Sequence, residues 1–266
     1  MTGTSQVRTM QKVGSTPFYL LSILLWLPFT GCSQDAAPDK GQESTRESAQ
    51  ETGDGFYQYT QSNYDGIGKI YMGREISHVM GHLGAGWLER PGRVNEERTD
   101  LLLENLPLNE GDRVADIGAG TGYFSLPMAK IVGDTGRVYA VDIQPEMLDI
   151  IASRSAEMGV ENITRVLAVA DDPKLPKNTI NLVLLVDAYH EFEWPREVMN
   201  GVYESLVSGG KVVLIEYRAE DRAVPIKRLH KMSVEQARKE MEALGLIFKD
   251  NLDLLPQQHF MIFEKP

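Results

Sequence analysis

The chain has 266 residues, 42% of them apolar and 24% charged, a composition that excludes a wholly disordered, collagen-like or multi-span membrane protein. A formal charge of −11 leaves no basic surplus to neutralise phosphates, which argues against a nucleic-acid partner. The single cysteine, Cys32, excludes an internal disulfide and a cysteine-based zinc centre.

Arg8 and Lys12 precede an apolar run from Phe18 to Phe29. The run is too short for the roughly 20 residues a spanning helix needs, but suits the core of a signal peptide. It ends in Phe29-Thr30-Gly31-Cys32, which resembles the lipobox of bacterial lipoprotein signal peptides, although Phe29 stands where leucine is usual. The resemblance implies a removable signal peptide over 1–31, a lipid on Cys32, and a membrane-anchored protein on the periplasmic side of the cell envelope. An uncleaved leader, or a start at Met10, would leave the protein cytoplasmic. Taking the two positive charges of residues 1–31 from −11 leaves −13. Residues 33–54 hold six acids, two bases and no large apolar side chain, too little to offset ordering entropy, so 32–55 reads as a flexible linker.

Residues 56–110 read as a helical cap. Ile67, Ile70, Tyr71, Ile76, Val79, Met80 and Leu83 recur at helical spacing, and a second helix is expected from Asn95 to Leu106. His78 and His82 share the i, i+4 spacing of a metal-binding helix but lack a third ligand, so no metal site is read here. The cluster Arg90, Arg93, Glu96, Glu97 and Arg98 reads as a solvated face, with a lid near the active site as the alternative.

From Arg113 strands and helices alternate: strand 113–117, helix to Val132, strand 137–141, helix 145–158, strand 163–170, strand 180–186, helix 195–207 and strand 211–217. Ser208-Gly209-Gly210 reads as a helix C-cap. Ser233 to Gln236 fits a capping box opening a helix that ends before Gly245, and 246–252 and 259–263 are two closing strands. Such repeats predict an α/β fold, a parallel seven-stranded sheet with helices on both faces, whose ligands sit beyond the strands' carboxyl ends.

Asp116-Ile117-Gly118-Ala119-Gly120-Thr121-Gly122 falls where the first of these strands meets its helix. Glycines there permit a tight turn and close approach of a ligand to the helix N-terminus. A nicotinamide dinucleotide fingerprint would need glycine at 123, where Tyr123 stands. The acid–x–Gly–x–Gly–x–Gly spacing resembles instead the class I S-adenosylmethionine-dependent methyltransferases, in flavour the ubiquinone/menaquinone-biosynthesis branch. Further matches are Asp142 ending the second strand, Asp171-Asp172-Pro173 after the third, Asp187-Ala188-Tyr189-His190-Glu191-Phe192 after the fourth, and Ser208-Gly209-Gly210 before the fifth.

The resemblance implies a Rossmann-like methyltransferase domain over 111–266 with S-adenosyl-L-methionine as cofactor. Asp116 would serve the ammonium of the methionine tail, and Gly118, Ala119, Gly120, Thr121 and Gly122 would cradle that tail. Asp142 would hold the ribose hydroxyls, Ile143 would pack on adenine and Asp171 would meet the adenine amino group unless it merely caps a turn. Asp187 would face the tail and the acceptor. His190 and Tyr189 are the candidates for a general base, with a structural or substrate-contact role for His190 as the alternative. The implied reaction is in-line methyl transfer to a small or membrane-associated acceptor. The competing reading is a lipid-anchored binding protein that keeps the fold without catalysis.

Overall fold

In the computed structural model, residues 50–51 and 55–266 are described. The signal peptide expected over 1–31, Cys32 and nearly all of the linker expected over 32–55 lie outside the described residues. Strands β1 (Gln50–Glu51), β2 (Tyr57–Tyr59), β3 (Gly66–Tyr71) and β4 (Arg74–Ser77) form an antiparallel sheet in that order. The helix expected over this stretch is therefore replaced by strands. Met72 and Gly73 both take positive φ, +48° and +97°, the two-residue hairpin turn that matches strand twist. Tyr71 and Ile76, which share a helical spacing in the sequence, are instead carried by two paired strands and bury together with Tyr57 beside Trp194.

Three short helices follow: α1 (Ala85–Leu88), α2 (Arg93–Glu97) and α3 (Thr99–Asn105). The single helix expected from Asn95 to Leu106 is split at Arg98, whose φ of +53° is left-handed. His78 and His82 are not on a helix either; His82 opens a 3-10 turn. The helical cap is thus an antiparallel sheet followed by helical turns.

The larger sheet is built from β5 (Arg113–Ile117), β6 (Arg137–Asp142), β7 (Ile163–Leu167), β8 (Ile180–Val186), β9 (Leu206–Tyr217), β10 (Ile247–Leu252) and β11 (Gln258–Glu264). Their order is β10-β11-β9-β8-β5-β6-β7, parallel except for β11, which runs antiparallel to both neighbours. Helices α4 (Ser125–Val132), α5 (Pro145–Met158), α6 (Pro195–Ser205) and α7 (Val234–Glu242) complete the chain. Because strand side chains alternate in direction, near-continuous apolar strands serve two cores. Val183, Leu185, Val212, Leu214 and Met261 pack with Met199, Val202 and Met241 of α6 and α7. Leu182, Leu184, Val213, Ile215 and Phe260 pack with Leu102, Met128 and Val132 of α3 and α4.

Three boundaries move. β7 ends at Leu167 because the chain folds back through a bridge between Val169 and Asp172. Helix α6 ends at Ser205, and Ser208-Gly209-Gly210 belongs to β9 instead of capping the helix. Gly209 N–H donates to Lys265 O and Lys265 N–H to Gly210 O, each at 2.9 Å. The cap at Ser233 is where the sequence puts it, its Oγ accepting from Gln236 N–H at 3.1 Å.

Candidate functional site

The winding of the larger sheet reverses at β5, which pairs with β6 on one side and β8 on the other. Beyond the carboxyl ends of these strands lies a cavity of about 640 Å³, within the ~300–1,000 Å³ usual for small-molecule sites. The loops after β5, β6, β7 and β8 all reach it, as do Ser77 to Met80, Trp87, Leu88 and Arg93.

The glycine loop reaches it through Gly118 and Gly120. Gly118 has φ +73° and a Cβ there would stand 2.6 Å from Ala188 Cβ; Gly120 has φ +53° and a Cβ would meet Leu88 at 2.7 Å. A side chain at Gly118 would be strained and would meet Ala188, and one at Gly120 would have to displace the end of Leu88. Ala119, Thr121 and Gly122 shape the turn without lining the cavity: Ala119 N–H donates to Val141 O, Gly122 N–H to Ala119 O, and the Thr121 hydroxyl to Glu89.

Asp142 ends β6 at the cavity wall. Its Oδ2 accepts from Gly120 N–H and its Oδ1 from Gln144 N–H, both at 2.9 Å. Each oxygen keeps capacity for a further donor. Burial pushes its pKa up, against the pull of the Gln144 and Gly120 N–H groups. Ile143, next in sequence, is 47% exposed although apolar and lies on the cavity. Asp187, with φ +49°, lies at the cavity end of β8. Gln258 donates to its Oδ2 at 2.6 Å, whereas Oδ1 is buried without a partner. Burial, with Glu97 and Glu216 nearby, pushes the Asp187 carboxyl well up. A non-glycine residue held in the left-handed region beside an orphaned oxygen is the kind of strain found at ligand sites.

Other expected residues are elsewhere. Asp116 is buried behind the loop and not on the cavity; the Ser125 hydroxyl donates to it at 2.6 Å. Burial, reinforced by Asp142, raises its pKa to about 6. Because the folded value exceeds the ordinary 3.8, this group's contribution to stability is full below pH ~4 and is lost as pH rises through about 6, on the order of 3 kcal/mol. Urea unfolding of Asp116→Asn should therefore gain by that order relative to the parent between pH 4 and 7; parallel pH curves would contradict it. Asp171 is exposed at the tip of the loop after β7, and that loop meets the cavity through Ala168, Val169, Ala170 and Pro173.

A 3-10 turn over Tyr189–Glu191 separates the two candidate bases. Tyr189 points into the protein, fully buried, donating to Glu240 Oε2 at 2.7 Å and absent from the cavity wall; the structure removes it as a base. His190 does face the cavity. Its Nδ1 lies 2.5 Å from Glu216 Oε2 and its Nε2 lies 3.1 Å from Nδ1 of His230. The neighbouring Glu191 raises the His230 pKa, burial opposing it.

Two parts of the site are not visible in the sequence. Arg93 and Glu97, read first as a solvated face with a lid near the active site as the alternative, are 4% and 1% exposed and paired at 2.9 Å, which favours the alternative. Glu97 also accepts from Arg90 and from the Tyr217 hydroxyl, and Arg93 lines the cavity. Their i, i+4 spacing was the available signal. The pairing of His190 with His230, 40 residues apart, left no local pattern.

Comparison with known proteins agrees with the fold and the loop. The family described as "Methyltransferase domain" matches residues 114–210. A ubiquinone/menaquinone biosynthesis C-methyltransferase of Haemophilus ducreyi is 30% identical over 111 residues, 41% of this chain and 43% of that protein. A probable cobalt-precorrin-6B C(15)-methyltransferase (decarboxylating) of Saccharolobus solfataricus is 28% identical over 122 residues, 46% of this chain and 60% of that protein. The chain thus spans about half the length of these curated relatives. The crystal structure of a S-adenosylmethionine-dependent methyltransferase from Aquifex aeolicus superposes with a TM-score of 0.65 at 20% identity, covering 70% of this chain and 98% of that one. Residues 114–210 therefore match the methyltransferase-domain family, and the chain shares its seven-stranded fold with the Aquifex aeolicus structure.

Proposed function

We propose that the protein transfers a methyl group from S-adenosylmethionine to a small acceptor with an apolar body. The observation that carries this reading is the convergence of Gly118, Gly120, Asp142, Ile143, Asp187 and His190 on one cavity. The donor set suits the cofactor. Asp142 has free lone pairs for the two ribose hydroxyls, and Ile143 offers an exposed apolar face to the purine. The unpartnered Asp187 Oδ1 can accept from the tail ammonium, whose charge would favour the ionised carboxyl. Arg93 supplies a guanidinium for the tail carboxylate.

When bound, the cofactor supplies an electrophilic methyl on a sulfonium. The chain's task is then to hold the acceptor in line with it and to exclude water. Such positioning can supply ~7–11 kcal/mol. Val79, Met80, Trp87, Phe192 and Ile226 also line the cavity, which favours an acceptor with an apolar body, and His190 and Glu191 would mark the polar end of the acceptor side. A lipid on Cys32, proposed from the sequence of residues 18–32, would keep this opening close to a membrane and suit a membrane-associated acceptor.

The test is a crystal structure with S-adenosylhomocysteine. The expected complex has the ribose on Asp142, the purine against Ile143 and the tail between Asp187 and Arg93. A ligand bound elsewhere, or with its ribose away from Asp142, would overturn the assignment.

A further inference from the structure

The acceptor end of the cavity holds three ligand-type atoms that face one another. His190 Nε2 and His230 Nδ1 are 3.1 Å apart, His190 Nε2 and Glu191 Oε1 are 3.8 Å apart, and His230 Nδ1 and Glu191 Oε1 are 3.4 Å apart. A point equidistant from the three lies about 2.0 Å from each, which matches the ~2.0–2.2 Å of zinc–nitrogen and zinc–carboxylate bonds.

The outer atom of each group is already engaged. Glu216 Oε2 is 2.5 Å from His190 Nδ1, Met80 N–H donates to Glu191 Oε2 at 3.1 Å, and Asp65 Oδ2 is 3.2 Å from His230 Nε2. Carboxylates behind both imidazoles are the usual outer partners of metal-bound histidines, where they fix the tautomer. With Nδ1–H of His190 turned to Glu216, its Nε2 presents a lone pair to His230 Nδ1 at 3.1 Å, while Asp65 Oδ2 stands 3.2 Å from His230 Nε2 without a hydrogen bond. The lone pair calls for a positive charge between the two nitrogens, either a proton on His230 or a metal cation. The charges point the same way: Lys227 offsets Asp65 at 2.5 Å, leaving the Glu216 and Glu191 carboxylates to be balanced. The rings stand at 79° and so do not stack.

We propose that His190 Nε2, Glu191 Oε1 and His230 Nδ1 form a binding site for a divalent transition-metal cation of the zinc class. Two histidines and one carboxylate leave a coordination position open, as in catalytic sites. All three residues line the cavity, so the open position faces the acceptor. The acceptor class follows, on the methyltransferase reading: a compound whose hydroxyl or thiol binds the metal and releases its proton to solvent, leaving the oxygen or sulfur to be methylated. Binding of the metal itself does not depend on that reading.

The experiment is a calorimetric titration of chelator-stripped full-length protein with ZnCl2, repeated with CoCl2 while recording visible absorption, in the absence of any cofactor. The expected result is one equivalent bound with a submicromolar Kd and cobalt bands of low-symmetry, nitrogen- and oxygen-ligated type. His230→Ala, at a half-buried position, and Glu191→Gln should each weaken binding at least 100-fold with unfolding midpoints near the parent's, whereas His78→Ala should leave it unchanged. No saturable binding, or binding insensitive to His230→Ala and Glu191→Gln, would overturn the proposal and leave a shared proton between the rings. A parallel titration of the stripped protein with S-adenosylmethionine keeps the two readings apart: metal without cofactor binding sinks only the methyltransferase, and cofactor without metal binding sinks only this site.

Discussion

Asp142→Ala should weaken S-adenosylmethionine binding by a factor of 100 or more in calorimetric titration. Hydrogen bonds to a charged acceptor are worth ~1.5–3 kcal/mol each, and a loss of about 2.7 kcal/mol is a factor of 100 in Kd. On the proposed reading Asp142 accepts from both ribose hydroxyls at a buried site, and its Oδ2 also ties Gly120 N–H at 2.9 Å. Removing the carboxylate thus loses the sugar contacts and loosens the glycine turn beneath the tail. Asp142→Asn retains one acceptor and the size of the side chain, so its loss should be nearer 10-fold. An Asp142→Ala protein that folds and binds with parental affinity would remove the ribose assignment.

The largest expected effect on stability is at Glu240, which does not line the cavity. This fully buried carboxylate receives Arg74 through Nε and Nη2, each at 2.9 Å, the Tyr189 hydroxyl at 2.7 Å and Gln236 Nε2 at 2.7 Å. It joins α7 to β4 of the small sheet. Glu240→Ala strands the Arg74 guanidinium in the interior, and breaking a buried pair from one side costs ~3–5 kcal/mol. Against a typical net stability of ~5–15 kcal/mol, urea unfolding should show a large fall in midpoint. Arg74 Nη1 also donates to His190 O at 3.1 Å, so the turn carrying His190 should loosen. Glu240→Gln, which keeps an acceptor, should lose less than Glu240→Ala. A change under about 1 kcal/mol in Glu240→Ala would show that the network does not hold the small sheet in place.

How much of this was legible in the sequence depended on whether the signal was local. The strand 180–186 was legible because an unbroken apolar run suits a strand buried on both faces. The glycine loop and Asp142 were legible because a backbone turn and a strand end fix their places. The hairpin of β3 and β4 was not, because its apolar residues span a two-residue turn whose Met-Gly sequence is a weak hairpin signal, and the spacing imitates a helix. The outcome at 189–191 turned on direction: neighbours in one 3-10 turn diverge, sending Tyr189 to the core and His190 to the cavity. Arg93 and Glu97 looked solvated because charge alone does not reveal that each neutralises the other at depth. Asp116 kept its place in the motif, yet its carboxylate serves Ser125 and not the cavity. The network of His190, Glu191, Glu216, His230 and Asp65 draws on residues far apart in the chain and exists only once the sheet has formed.

The cavity beyond β5, β6 and β8 is the proposed S-adenosylmethionine site. Its most direct test is calorimetric titration of the full-length chain with S-adenosylmethionine and, separately, with NADH. Saturable one-to-one binding of the first in the micromolar range with no heat from the second is expected. No binding of S-adenosylmethionine by folded protein, or preferential binding of NADH, would contradict the account.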